Sequence, residues 1–302
     1  MENRAFLADQ LHDQGYVIVP SLLSAAELST LRTAATALTS LARTGQWPYV
    51  RTVGKQFPPW PTPTPVSPPA DIWGVQHLLH PSLPAPVQSA FAAVYFSPAL
   101  LSIAKHLVTP HGSPPAADAD LVLELLNLLT NPTATPFALT WHRDDIPAST
   151  APADEAALLA RPAWHTQYNL ALFDGDDSLV VVPGSHRRVR TDAERAADPY
   201  AADMPGQVRV VLGAGDVVFY DNNILHRGVY GVERERMTVH GSVGHVRGSK
   251  GRARNVLQHG IGEWVGGCDF SGRGEGRERV EGMRARAVEM GTGRDVGFSL
   301  EG

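Results

Sequence analysis

Trp141-His142-Arg143-Asp144-Asp145, Leu225-His226 and Arg236 are the residues whose types and spacing can do chemistry in this chain. In extended backbone successive side chains alternate faces, so His142 and Asp144 point one way and Arg143 the other. A second imidazole from a distant strand, His226, completes a two-histidine, one-carboxylate facial set. That set holds non-heme Fe(II) on one face and leaves its other positions open. A lone His-x-Asp arises by chance in many chains of this size, and its company gives it weight. Arg236 follows His226 by ten residues and begins the alternating run Arg236 to Val243. Its guanidinium can grip a carboxylate through two parallel charge-assisted bonds, which a lysine cannot do. A 2-oxo acid chelating iron through its keto and carboxylate oxygens has a distal carboxylate that needs such a clamp. A salt bridge to Glu233 or Glu235 would occupy Arg236 instead, and Arg234 is the rival clamp. The register placing Thr238 and His240 on the face of Arg236 favours Arg236.

Between the two histidines, Leu179-Val180-Val181-Val182-Pro183-Gly184-Ser185-His186 reads as a buried strand entering a tight turn. Near the start, Gly15-Tyr16-Val17-Ile18-Val19-Pro20 is an apolar strand followed by a helix. These segments, with Trp141 to Asp145 and His226 to Arg236, resemble the phytanoyl-CoA dioxygenase family of Fe(II)/2-oxoglutarate oxygenases. The resemblance spans roughly residues 6 to 245. It implies a mainly β fold with flanking helices, a double-stranded β-helix of the cupin-like jelly-roll kind. It also implies Fe(II) and 2-oxoglutarate as cofactors, O2 as cosubstrate and ascorbate as a stimulant. The chain departs from the family at Gly228, where a serine often touches the distal carboxylate, so another group must supply that contact or it is missing.

The elements that must position these residues are legible in outline. Residues 4 to 13 read as a short helix, and Ser24-x-x-Glu27 is a capping box opening a helix from Ala25 to about Ala42. Phe57 to Pro69 is dense in proline and excludes regular helix or central strand, so it reads as a loop packed over the body. Residues 86 to 108 read as helix. Eight β-rich runs follow, at 121–130, 138–144, 166–173, 178–182, 207–212, 216–220, 224–227 and 236–244, broken by Gly, Asp and Pro. Short strands with turn signals at this spacing suggest a jelly-roll sandwich or barrel. A last amphipathic stretch runs from about Arg277 to Met290. The expected organisation is one oxygenase domain over 1–302, comprising a helical part at 1–118 with a Pro-rich loop at 57–70. A jelly-roll core at 120–245 and a C-terminal loop and helix at 246–302 complete it.

Other polar residues are candidates for the cavity. On His165-Thr166-Gln167-Tyr168-Asn169, one face lines the site, and Gln167 or Tyr168 can contact the cosubstrate. Glu124 and Asn127 interrupt an apolar strand, where burial without partners is costly, so they can border the active site. Lys55, beside the Pro-rich loop, can meet a carboxylate of cosubstrate or substrate. His240 is a further substrate candidate on the Arg236 face. His77 and His80 lack a completing ligand and read as core or loop residues, and Asp145 can orient a ligating imidazole from behind.

Composition sets the outer bounds. At 302 residues and 43% apolar content the chain can bury a large core, and a net charge of -5 gives no sign of nucleic-acid binding. From Arg227 to Gly302 there are 13 Lys/Arg against 10 Asp/Glu. That excess reads as a solvated mixed-charge face; the sharper reading has Arg247, Lys250, Arg252 and Arg254 drawing an anion to the site mouth. The lone Cys268 excludes an internal disulfide and reads as a packing residue of a reducing compartment. With no signal-peptide core and no run of about 20 apolar residues, the expectation is a cytoplasmic protein, monomer or homodimer, without membrane partners. The expected activity is 2-oxoglutarate-dependent oxidation of an unactivated C–H of a small organic substrate in secondary metabolism. Hydroxylation is the default, with desaturation or cyclisation open to the same ligands and halogenation disfavoured by Asp144. The alternative is a jelly-roll protein that binds a metal or small ligand without turnover. A Zn(II) hydrolase is a third reading, but it leaves Arg236 unexplained.

Overall fold

Ser24 and Glu27 exchange the reciprocal bonds of a capping box and start the helix Ala25–Arg43, as its sequence requires. The computed structural model describes residues 4–58, 69–258, 260–268, 270 and 276–292. The helices are α1 (Arg4–Gln14), α2 (Ala25–Arg43), α3 (Ala85–Tyr95), α4 (Pro98–Leu107), α5 (Pro152–Leu159), α6 (Asp192–Ala196), α7 (Lys250–Gln258) and α8 (Arg277–Gly291). The strands are β1 (Tyr16–Val19), β2 (Val50–Thr52), β3 (Ile72–Val75), β4 (Leu121–Thr130), β5 (Phe137–Ala138) and β6 (His165–Ala171). They continue with β7 (Asp176–Val182), β8 (Val208–Leu212), β9 (Val217–Tyr220), β10 (Leu225–Tyr230) and β11 (Met237–His245).

These strands form two antiparallel sheets. One has seven strands in the order β1-β9-β6-β11-β4-β3-β2, the other four in the order β5-β10-β7-β8. Alternation sorts their side chains into layers. Tyr168, Leu170, Val217, Phe219, Val239 and Val243 face outward from the large sheet into one core shared with α2, α3, α4 and α8. Ala171, Leu179, Val181, Val210, Val218 and Tyr220 pack between the two sheets. This is the helix-flanked jelly roll the sequence leads one to expect.

Two expected elements differ. The helix over 86 to 108 is two helices bent by 43°. Pro98 has no N–H to continue the ladder and disfavours helical backbone at Ser97, whose side chain instead caps Leu100 N at 3.1 Å. The expected strand at 138–144 leaves the sheet after Ala138. Its amides go to four separate partners: Leu139 N to Gly228 O, Trp141 N to Pro199 O, His142 N to His226 O and Asp144 N to Asn222 O. Strands β2 and β3 and helices α5 and α7 join what the sequence shows. Residues 59–68 of the Pro-rich loop lie outside the described residues, as do residues 293–302. No single described helix is long and apolar enough to cross a membrane.

Candidate metal centre and cavity

Strand β10 carries His226, Gly228 and Tyr230 on the face opposite Leu225 and Arg227. Leu225 packs outward against Trp141, Val180 and Val182, while Arg227 lies 5.0 Å over the Trp141 ring. Those outer contacts anchor the strand, so His226 must face the inter-sheet cavity. A two-way bridge between His226 and His142, with both N···O distances 3.0 Å, sets the second histidine beside the first. Their rings stand 4.3 Å apart. Asp144 Oδ1 lies 3.5 Å from His142 Nε2 and 3.8 Å from His226 Nε2. One ligand atom from each of the three lies within 4.8 Å of the others.

Both imidazoles are oriented from behind. His142 Nδ1 meets Thr140 O at 2.7 Å and His226 Nδ1 meets Ile224 O at 2.8 Å. A carbonyl can only accept, so each Nδ1 carries a proton and each ring turns its Nε2 toward Asp144. This is the orientation a metal requires. Asp144 keeps Oδ1 on the histidine side while Oδ2 accepts from Gln167 Nε2 at 2.9 Å. Burial would raise the Asp144 carboxyl, but the His226 and His142 imidazoles outweigh it and hold it far below the usual range. Burial and the neighbouring His142 push His226 down to about 4, so it stays neutral and ready to ligate. Side-chain exposures of 32% and 26% at His142 and Asp144 leave the centre reachable from outside. Burial would lower His142, but the Asp144 hydrogen bond and charge raise it, so a metal ligating its Nε2 would displace a proton. Two imidazole nitrogens and one anionic oxygen on one side then fit a ferrous ion with open positions.

Arg143 points away, as alternation demands. It donates to Glu155 Oε1 at 3.0 Å, to Ser185 O at 2.9 Å and to Arg188 O at 3.0 Å, pinning the loops behind the centre. Asp145 accepts from Asn222, whose carbonyl holds the Asp144 amide at 2.9 Å. Its support is thus to the Asp144 backbone rather than to an imidazole.

The centre opens into a cavity of about 240 Å³. At its inner end Arg236 donates Nε to Asp176 Oδ1 and Nη2 to Thr238 Oγ1, both at 2.9 Å. Its Nη1 is buried with no hydrogen-bond partner among the described residues. Of its expected salt-bridge partners, Glu235 pairs instead with Arg43 at 3.2 Å, and the rival clamp, Arg234, is exposed and donates to Gly175 O. His240 and Asn169 also line the cavity and bond to each other at 2.9 Å. Burial, then Arg51, push His240 down to about 4.

Not every sequence candidate belongs here. Gln167 faces the cavity, but Tyr168, on the opposite face of β6, is fully buried in the helix-side core. Its ring lies 5.6 Å from Phe219, and its hydroxyl occupies the space above Gly241. It is a packing residue, not a cosubstrate contact. Lys55 closes a turn onto Thr52 through backbone bonds of 2.9 and 3.0 Å and lies outside the lining. Its place is taken by Arg51, which sequence reasoning missed: it lines the cavity 5.4 Å over Trp73, with Nε unpartnered. Burial lowers its guanidinium to about 10. No sequence signal marked it, because it sits in a strand of three residues that pairs with Trp73-Gly74-Val75 only in the fold. Asn127 is buried opposite His240, and its Nδ2 has no partner. Glu124 borders the site indirectly, bonding Arg252 at 3.1 Å and standing 3.6 Å from His165. Arg252 lines the cavity from α7, so at this position the basic segment is not a solvated face.

A jelly roll with this pair of histidines, this carboxylate and a buried arginine defines a non-heme iron, 2-oxoglutarate-dependent oxygenase. The model of the family described as phytanoyl-CoA dioxygenase (PhyH) matches residues 11–229, and the chain belongs to that family. Solved structures agree in fold. EctD from S. alaskensis, with 2-oxoglutarate and 5-hydroxyectoine, superposes with a TM-score of 0.56 at 19% identity, covering 82% of this chain and 79% of that one. AviO1 from Streptomyces viridochromogenes Tue57 gives 0.53 at 19%, covering 81% and 96%. The non-heme alpha ketoglutarate dependent epimerase SnoN from nogalamycin biosynthesis gives 0.51 at 20%, covering 80% and 82%. No curated protein matches the chain significantly in sequence.

Proposed function

We propose that His142, Asp144 and His226 hold Fe(II), that Arg236 clamps the distal carboxylate of 2-oxoglutarate, and that the enzyme oxidises an unactivated C–H of a small organic substrate. The observation that carries this is the convergence of two Nε2 atoms and one carboxylate oxygen, with both Nδ1 protons fixed on carbonyls. When bound, the iron and its cosubstrate activate O2 and supply the oxidant. The chain's own residues position and protect. Thr140 and Ile224 carbonyls fix the ring tautomers, Gln167 orients the Asp144 carboxylate, and Asp176 holds Arg236 in place. Leu125, Leu129 and Leu139 give the cavity an apolar wall, with Asn169 and His240 as polar contacts for substrate orientation. An acidic side chain at Asp144 occupies the position a halogenase leaves open, which supports hydroxylation, desaturation or cyclisation over halogenation. A role in secondary metabolism draws support from the likeness to SnoN of nogalamycin biosynthesis. The chain works as one oxygenase unit, monomer or homodimer.

The test is Fe(II)-dependent conversion of 2-oxoglutarate to succinate, slow without substrate and stimulated by ascorbate. Its loss in His226→Ala, with the fold intact by circular dichroism, supports the assignment. Equal succinate release with and without added Fe(II) in metal-stripped protein contradicts it.

A further inference from the structure

We infer that the Tyr230 hydroxyl is the second donor to the carboxylate held by Arg236, seated in the space that Gly228 leaves open. This rests on the reading that Arg236 holds the far carboxylate of the cosubstrate. Gly228 and Tyr230 share the cavity face of β10 with His226. Nothing in the backbone asks for glycine at 228, which is absent from the positions of left-handed φ. The hydroxyl does: a Cβ there would stand 2.3 Å from Tyr230 Oη and 2.6 Å from its Cζ, closer than real side chains approach.

The phenol ring packs against a pair of aromatic rings that touch each other at 5.1 Å. Trp73 stacks on it at 5.6 Å and Phe137 lies 6.2 Å away, nearly parallel. Arg236 Cζ sits 4.9 Å from the ring centroid, and the hydroxyl lies against the same guanidinium. Burial raises the phenol's pKa although Arg236 and Arg51 pull it down, so at neutral pH the O–H keeps its proton and can donate. The unpartnered, buried Nη1 belongs to the same cavity-lining side chain. One N–H and one O–H thus stand ready for the two oxygens of a single carboxylate. Asp176 already occupies the other side of the guanidinium, so the incoming anion has only this approach.

The test titrates 2-oxoglutarate into the anaerobic Fe(II) protein and follows the visible charge-transfer band. Tyr230→Phe keeps the ring and removes the donor. It is expected to weaken 2-oxoglutarate about tenfold or more while leaving Fe(II) affinity unchanged, as befits a lost bond to a charged group. Tyr230→Leu should weaken it similarly, and adding Gly228→Ser to Tyr230→Leu should recover about tenfold, because the serine hydroxyl enters the vacated space. A ring that served only as packing beneath Arg236 would give no such recovery. Wild-type affinity in Tyr230→Phe, or no gain from Gly228→Ser in the leucine background, overturns the inference. Absence of any band in the wild-type protein would instead remove the underlying cosubstrate reading.

Discussion

Asp176 shows how a residue far from the metal decides whether the clamp exists. Burial would raise its carboxyl, but Arg236, Ser178 and Thr238 hold it down at about 2. A depressed carboxyl stabilises the fold fully above its unfolded value near 3.8 and loses that contribution as pH falls through about 2. Asp176→Asn should therefore cost about 2 kcal/mol at pH 7, with the difference from wild type shrinking between pH 4 and pH 2. Urea melts across that range measure it, and a difference constant with pH would exclude the ion pair as the cause. His142, Asp144, His226 and Arg236 were legible in the sequence because their types and spacing are chemically narrow. Arg51 and Tyr230 were not, since an arginine in a three-residue strand and a tyrosine two after a glycine carry no signature. Tyr168 misled because alternation puts two polar faces on β6 and does not say which one meets the helices.

Elements succeed or fail on where their backbone bonds go. The β11–β4 ladder slips between Gly241 and Val243. Tyr95 of α3 fills the break, accepting from Glu124 N at 2.9 Å and donating to Ser242 O at 2.7 Å. Tyr95→Phe would leave two buried backbone groups without partners, at a cost of about 2 kcal/mol. A thermal melt within about 1 °C of wild type would show that the hydroxyl does not bridge the ladder, since about 2 kcal/mol shifts Tm by several degrees. Helix α7 makes a similar link. Its Arg252 reaches Glu124, whose side chain is 4% exposed against 18% for the arginine. Arg252→Met strands a buried carboxylate and should destabilise by about 3 kcal/mol, while Arg252→Met with Glu124→Leu should recover most of that. Equal losses in the single and double variants would contradict the pairing. The sequence pointed to α2 through its capping box, whereas α7 read as charged surface because a single inward Arg252 in a basic segment leaves no period. The break between α3 and α4 was visible as Ser97-Pro98, though the surrounding apolar run obscured it.

Across the whole molecule, the architecture followed from β-rich runs and their turn signals. Eight such runs suggested a jelly roll, and the helices covering one face were what the family resemblance implied. Seven of those runs lie in strands; the eighth, at 138–144, carries two ligands on backbone whose amides serve four separate partners. The strands β2 and β3 escaped because three- and four-residue strands fall below any periodic signal, yet β2, at the sheet edge, delivers Arg51 to the cavity. Two sheets and an outer helical layer thus bring histidines from remote positions into backbone contact, and the bridge between residues 142 and 226 is the closing contact of that design. The most direct test is anaerobic addition of Fe(II) and then 2-oxoglutarate to the metal-free protein. A visible charge-transfer band that saturates with one iron per chain and vanishes in Asp144→Ala is the predicted result. A colourless mixture, or a band that Asp144→Ala retains at full strength, would contradict the account.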